Sequence, residues 1–284
     1  MNWWEQNGPN GIGSRPFNAG WKARSCGKPI PRWEAHLTPN PIRKVLSSMR
    51  AHRVRALLMG GQACVFYGAA EFSRDTDFAI LADAANLARL RKALAELSAE
   101  AIAVPPFELK FLRKGHAVHF RCRHPEAFRF RVDLMAKMRG VDSFDKLWQR
   151  RTTLQLPGGW KCDLLSLPDL VQAKKTQRDK DWPMIRRLVE ADFFGNRGKA
   201  SAARIRFWLQ ELRTPQLLIG VAQKNSRLAR QLSAQRPLLR MALAGEIEKL
   251  DAALAGEESA EREKDRLYWL PLRKELEQLR HSGG

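Results

Sequence analysis

Two aspartates one residue apart, Asp75 and Asp77, follow a Gly60-Gly61 pair that closes a short apolar run at residues 55–59. In an extended strand, side chains at i and i+2 share a face, so Asp75 and Asp77 lie side by side while Thr76 and Phe78 turn away. Carboxylates that close repel one another unless a cation neutralises them. Their hard oxygens suit Mg²⁺ or Mn²⁺, and a paired-metal site of this kind clamps phosphoryl oxygens during in-line displacement. Upstream, residues 55–59 read as a strand. Gly60 and Gly61 let the backbone approach a ligand closely, and residues 62–70 read as a helix whose first N–H groups favour an anion.

A third carboxylate has the right setting to join them. Residues 128–135 alternate strictly, with Phe128, Phe130, Val132 and Leu134 on one face and Arg129, Arg131 and Asp133 on the other. Asp133 therefore belongs to the polar face of a half-buried strand. Arg129 and Arg131 read equally well as a solvated strand face or as substrate contacts. Together these elements resemble the nucleotidyltransferase superfamily of the DNA polymerase β type, whose signature is a hydrophobic residue, Gly-Gly or Gly-Ser, a spacer, and Asp-x-Asp or Asp-x-Glu on the next strand. The resemblance implies that Asp75 and Asp77 hold a nucleotide-bound Mg²⁺ or Mn²⁺. It implies that Asp133 joins them around a second metal and activates the attacking hydroxyl. Gly60, Gly61 and Arg74 would then face the phosphates of the NTP.

Residues 164–181 narrow the resemblance. They read as a strand end, a helix start with Ser166 as N-cap and Asp169 three residues on, and a strongly basic helix. This block is similar to the lysine and basic-aspartate helix of nucleotidyltransferases related to the AbiEii-type toxins and the minimal nucleotidyltransferases. Lys174 matches the lysine that the family aims at the triphosphate, and Lys180-Asp181 matches its basic-Asp pair. A run of lysines is by itself also an ordinary solvated helix face. Two departures stand out: Thr76 occupies a commonly apolar position, and only Ser73-Arg74 represents the arginine-threonine element before the aspartates. The resemblance spans roughly residues 41–194.

Fifty basic against 30 acidic residues give a formal charge of +20 and a pI near 10.5. The excess divides as +8, +6 and +6 over residues 1–55, 56–182 and 183–284. Such a field attracts polyanions, and RNA with an accessible end is the natural acceptor for a nucleotidyltransferase. A basic compositional background without nucleic-acid binding is the alternative. Apolar runs such as residues 56–59 and 217–222 fall short of the roughly 20 residues a membrane helix needs, so no membrane partner is expected. The first residues lack the apolar core of a signal peptide, so the expected location is cytoplasmic. Cys26, Cys64, Cys122 and Cys162 are isolated and form no disulfide framework. His116, His119, Cys122 and His124 have spacings a zinc site can use, but strand alternation sends Cys122 and His119 to opposite faces.

The expected architecture is α+β: a nucleotidyltransferase-type mixed sheet flanked by helices, then an all-helical C-terminal region. Residues 1–37 read as a flexible or disordered arm, 38–178 as the core and 179–284 as a helical domain of three to five helices. Within the core, residues 39–53 and 84–99 are predicted helices. Hairpins are predicted at 107–112/117–123 around Arg113-Lys114-Gly115, and at 152–156/160–164 around residues 157–159. The expected activity is NMP transfer from an NTP to a hydroxyl, with pyrophosphate leaving. The acceptor would be a tRNA 3′ end or a protein partner, including a cognate toxin or antitoxin. A small-molecule antibiotic acceptor is less favoured, because cationic substrates prefer acidic clefts. From another class, the fold can serve as a catalytically idle binding module for RNA or a protein partner.

Overall fold

Leu57 and Leu58 point to opposite faces of one strand, yet both are fully buried, which places that strand inside a sheet covered on both sides. A computed structural model describes residues 41–70, 73–156 and 160–282. These described residues fall in one compact unit. The predicted arm at residues 1–37, including Cys26, lies outside the described residues.

The elements begin with α1 (Pro41–Ala51), β1 (Ala56–Met59), α2 (Gly60–Phe66), β2 (Asp75–Ile80), α3 (Ala84–Glu96) and β3 (Ala99–Ala101). Next come α4 (Leu109–Lys114), β4 (Val118–Cys122), β5 (Arg131–Met135), α5 (Phe144–Gln149), β6 (Thr152–Leu156), β7 (Trp160–Leu164) and α6 (Leu167–Ala173). Helices then take over: α7 (Asp181–Asn196), α8 (Ala202–Glu211), α9 (Pro215–Lys224), α10 (Ser226–Leu232), α11 (Leu239–Ala244) and α12 (Ile247–Ser282). The protein is thus α+β, with a seven-stranded mixed sheet among the described residues in the order β3-β4-β5-β2-β1-β7-β6. The pairs β1–β7 and β2–β5 are parallel, and the others are antiparallel.

Alternation sorts the two faces. Phe78 sits opposite Leu58, and Asp77 sits opposite Met59. Leu46 and Met49 of α1 line a cavity together with Ala56 and Phe78, so α1 covers the face away from the aspartates. Helix α1 docks because Ile42, Val45 and Met49 form one stripe. Asn86 pins this corner from α3: its Oδ1 accepts from Arg55 N at 2.8 Å, and its Nδ2 donates to Arg55 O at 3.0 Å and Leu81 O at 2.9 Å.

Several predicted elements change in the structure. Residues 107–112 do not form a hairpin with β4. They contain the start of α4, which buries Phe111 and Leu112 and ends on Gly115 at φ 114°, so the glycine stops a helix instead of turning a ribbon. Strand β4 pairs instead with β3 and β5. The helix predicted through residue 99 ends at Glu96, and Ser98 turns the chain at φ 47° into β3. The alternation from residue 128 breaks at Arg129, whose φ is 63°, so β5 starts at Arg131 and Phe128 is 64% exposed where the pattern put it in the core. Helix α2 covers Gly60–Phe66 rather than residues 62–70. The strands β6 and β7 pair as expected, with Leu154 opposite Cys162. Past the basic block the described residues form six helices rather than three to five, and α12 runs unbroken through Pro271.

Candidate active site

Strand pairing brings together carboxylates that lie far apart in the chain. In the parallel β2–β5 register Asp77 sits opposite Asp133, and Asp75 opposite Arg131. Antiparallel β4 adds His119 opposite Asp133. One face of the sheet therefore carries Asp75, Asp77 and Asp133 together, with Thr76 and Phe78 buried on the other.

The three acids differ in their support. Burial, then repulsion from Asp75 and Asp133, pushes the Asp77 carboxyl up to about 6, against a weaker opposing pull from Lys174 and Arg178. Asp133 is also buried, which opposes its ionisation, but His119 Nδ1 at 2.9 Å and Arg131 Nε at 2.7 Å hold it below the usual carboxylate value. Both contacts fall on Asp133 Oδ1. Asp75 accepts from Ser73 Oγ at 3.1 Å. Arg131 is therefore not a bare solvated face: its guanidinium belongs to Asp133.

The glycines have a steric reason to be there. Gly60 has φ 68°, and a Cβ on it would overlap the Asp77 carboxylate. A Cβ on Gly61 would come within 2.6 Å of Ser73 Oγ. The β1–α2 turn thus lies flush against the acids, as close approach of backbone requires. Gly60→Ala is expected to cost at least about 1–2 kcal/mol from the left-handed backbone alone and to displace Asp77. Urea denaturation checks this, and a variant as stable as the parent would overturn the packing account.

The cations near the acids are arranged differently from the sequence expectation. Helix α6 starts as predicted, with Ser166 Oγ 2.6 Å from Asp169 Oδ2, but it ends at Ala173. Lys174 is its C-cap, and residues 175–180 form a separate turn before α7. Lys174 and Lys180-Asp181 therefore do not share one basic helix. The Lys174 ammonium is buried and lies 3.0 Å from Asp181 Oδ1, while Asp181 also accepts from Thr176 Oγ1 at 2.6 Å and Arg178 Nε at 2.7 Å. Burial works against the Asp181 charge, and Lys174, Thr176 and Arg178 together hold its carboxyl below the ordinary value. Cys64 lies within the electrostatic reach of Lys174, Asp181 and Asp77; burial pushes its thiol up to about 11, so it is no thiolate at neutral pH. Arg74 is exposed and has no hydrogen-bond or ion-pair partner among the described residues.

This turn is strapped from outside by α12. Asp265, buried on α12, accepts from Gln177 N at 2.9 Å, Arg139 Nε at 3.3 Å and Trp269 Nε1 at 3.0 Å. Arg139 reaches on to Lys175 O at 2.6 Å and Glu261 at 2.9 Å. The sequence assigns no role to Asp265 and links His119 only to a zinc spacing, not to Asp133. His119 has a usable signal, since its strand alternates in phase with Asp133; Asp265 has none, because its partners are 88 residues or more away or inside its own helix.

The donor set suits a hard divalent cation, because hard carboxylate oxygens share a face and Asp77 carries charge that nearby cations do not cancel. Among the described residues, however, no three His, Cys, Asp or Glu side chains already converge on one point as ligands. Two surface cavities among the described residues lie elsewhere, one against α10 and one against α1. What the fold and site define is a mixed-sheet protein with an acidic face, a glycine turn against it and a buried lysine beside it. Compared with known proteins, the chain matches no protein-family model and no curated sequence.

Proposed function

We propose that the protein is a nucleotidyltransferase-fold enzyme that moves an NMP from an NTP to a hydroxyl on RNA or a protein acceptor. The observation that carries this reading is the in-register placement of Asp77 and Asp133, with Asp75 on the same face and the Gly60-Gly61 turn flush against them. Asp75, Asp77 and Asp133 would hold Mg²⁺ or Mn²⁺, which when bound supplies charge neutralisation for the phosphoryl oxygens. In the proposed reaction the acceptor oxygen bonds to the α-phosphorus, the α–β phosphoanhydride bond breaks, and pyrophosphate leaves with its electron pair. The hydroxyl proton passes to Asp133, whose contacts with His119 and Arg131 orient it. Lys174, held by Asp181, supplies positive charge beside the acids for the triphosphate. Arg74 reaches the nucleotide phosphates from its exposed position. A cognate toxin or antitoxin would be the partner if the acceptor is a protein.

A second reading has its own support. Asp133 is already occupied by Arg131 and His119, and no three ligands are gathered among the described residues, which favours an idle fold that binds RNA or a protein without turnover. One experiment separates them. Purified protein is incubated with each α-³²P-labelled NTP, Mg²⁺ or Mn²⁺, and total RNA or cell lysate, beside the Asp75→Asn/Asp77→Asn variant. Label entering RNA or a protein band with the parent alone supports the enzyme; no label from a folded parent with any NTP overturns it.

A further inference from the structure

Where β1 begins, between α1, α5 and the β1–β7 pair, is a cavity of about 280 Å³. Its floor is apolar, from Leu46, Met49, Val54 and Phe78, and its wall is Trp148. Around it stand Arg50, Arg53, Arg55 and Lys161. None of these four has an ion-pair partner among the described residues. The one acid that lines the cavity, Asp163, is taken by Arg151 at 3.0 Å. Four cations without an ion-pair partner among the described residues thus share one concavity with a single carboxylate, itself paired with Arg151.

Two of them are held in place without using up their donors. The Arg55 guanidinium lies 4.8 Å from the Trp148 ring centroid and 5.9 Å from that of Phe144, and the Arg50 guanidinium lies 5.8 Å from that of Trp160. Stacking fixes a guanidinium plane while leaving its N–H edge free, which is the geometry that captures phosphate oxygens in pairs. The C-terminus of α1 attracts a cation through its dipole, which accounts for Arg50 but not for four.

Arg53 is the most telling of the set. Val54 N donates to Met49 O and Arg53 N to Arg50 O, both at 2.9 Å, so α1 ends in a Schellman turn with Arg53 at the left-handed position, φ 52°. Glycine suits that position best, and an arginine there strains the backbone. The strained residue is also one that rims the cavity.

We infer that this cavity is a second ligand site, which takes the di- or triphosphate group of a small molecule, either inorganic oligophosphate or the tail of a nucleotide. Chelation by several positive groups selects an oligophosphate over a singly charged anion. The site uses none of the three acids: it lies where β1 begins, at the other end of that strand from the Gly60 turn that abuts Asp77.

The test is isothermal titration of the full-length protein with inorganic tripolyphosphate and, separately, ATP, without divalent metal and at about 150 mM salt to screen diffuse attraction. Arg53→Gly and Lys161→Ala are each expected to weaken tripolyphosphate by at least about tenfold, the equivalent of one lost charge-assisted contact. Arg53→Gly should do so with a melting temperature equal to or above the parent's, because glycine relieves the turn, so loss of binding and loss of fold are separated. Exposed Arg240→Ala should bind as the parent does. ATP held more tightly than tripolyphosphate, and lost in the same two variants, assigns a nucleotide; equal affinity assigns the oligophosphate alone. No binding by the parent, binding unchanged by Arg53→Gly and Lys161→Ala, or an equal loss in Arg240→Ala overturns the site.

Discussion

Asp77→Asn is expected to abolish the proposed nucleotidyl transfer, by on the order of 10³ or more, and at neutral pH to make the protein more stable. The two effects share one cause. Burial beside Asp75 and Asp133 raises the Asp77 carboxyl to about 6, which means that folding costs free energy whenever that group is ionised. The sign follows from linkage: a carboxyl raised on folding contributes stability that is complete below its unfolded value near 3.8 and is lost as pH rises through about 6. At pH 7.5 the parent carries that loss in full and the asparagine variant does not. Every tenfold weakening of an acid on folding corresponds to about 1.4 kcal/mol, and the partial exposure of Asp77 reduces the result to roughly 1–3 kcal/mol. Urea denaturation without divalent metal, compared at pH 7.5 and at acid pH, measures it. The advantage of Asp77→Asn should shrink as pH falls through 6 and disappear below about 4. An asparagine variant no more stable than the parent at pH 7.5 would sink the account of Asp77 as repelled and desolvated. For the same reason, added Mg²⁺ should stabilise the parent more than the variant.

Asp265→Ala is expected to cost more than any single change on the acidic face, about 2–4 kcal/mol, because it leaves the Gln177 amide and the Trp269 indole without their buried acceptor. Its carboxylate is 2% exposed and serves three donors: the Gln177 amide, the Arg139 guanidinium and the Trp269 indole. Losing it strands the amide and the indole and leaves Arg139 with the Glu261 carboxylate alone. Arg139 also holds Lys175 O, so the turn that carries Thr176 and Arg178 to Asp181 loses its outer clamp. Hydrogen exchange should therefore rise at residues 174–181 before it rises in β1 or β2. Asp265→Asn keeps the shape and some of the hydrogen bonding, and should fall between parent and alanine. If Asp265→Ala left both stability and exchange at residues 174–181 unchanged, α12 would be a passive neighbour and not a strap.

Local signals explain which parts are legible in the sequence. The faces of β2 can be read because alternation needs only neighbouring residues, and Thr76 and Phe78 are buried where Asp75 and Asp77 are less so. The β6–β7 pairing and the Ser166 cap are readable for the same reason: a turn and a hydroxyl three residues before its partner are short-range events. The errors are short-range too, but at places where one backbone angle changes the outcome. Arg129 enters the left-handed region and ends the alternation that would have buried Phe128. Gly115 terminates α4 where a hairpin turn is equally compatible with a glycine after two cations. A continuous helix through Lys174 is what composition favours, because composition does not reveal that Thr176 and Trp182 close a turn around Asp181.

From its sequence alone, this chain determined that two carboxylates lie on one strand face, that a glycine pair precedes them, and that a third acid sits on an alternating strand. Periodicity and backbone sterics act over a few residues, and these features need nothing more. Only the tertiary structure decided that β5 lies parallel beside β2 with Asp133 level with Asp77, that His119 and Arg131 hold Asp133, and that Asp265 reaches across to clamp the turn after Lys174. Most of those contacts join residues far apart in the chain. Strand order and the burial of charged partners set them, and no local pattern carries that information.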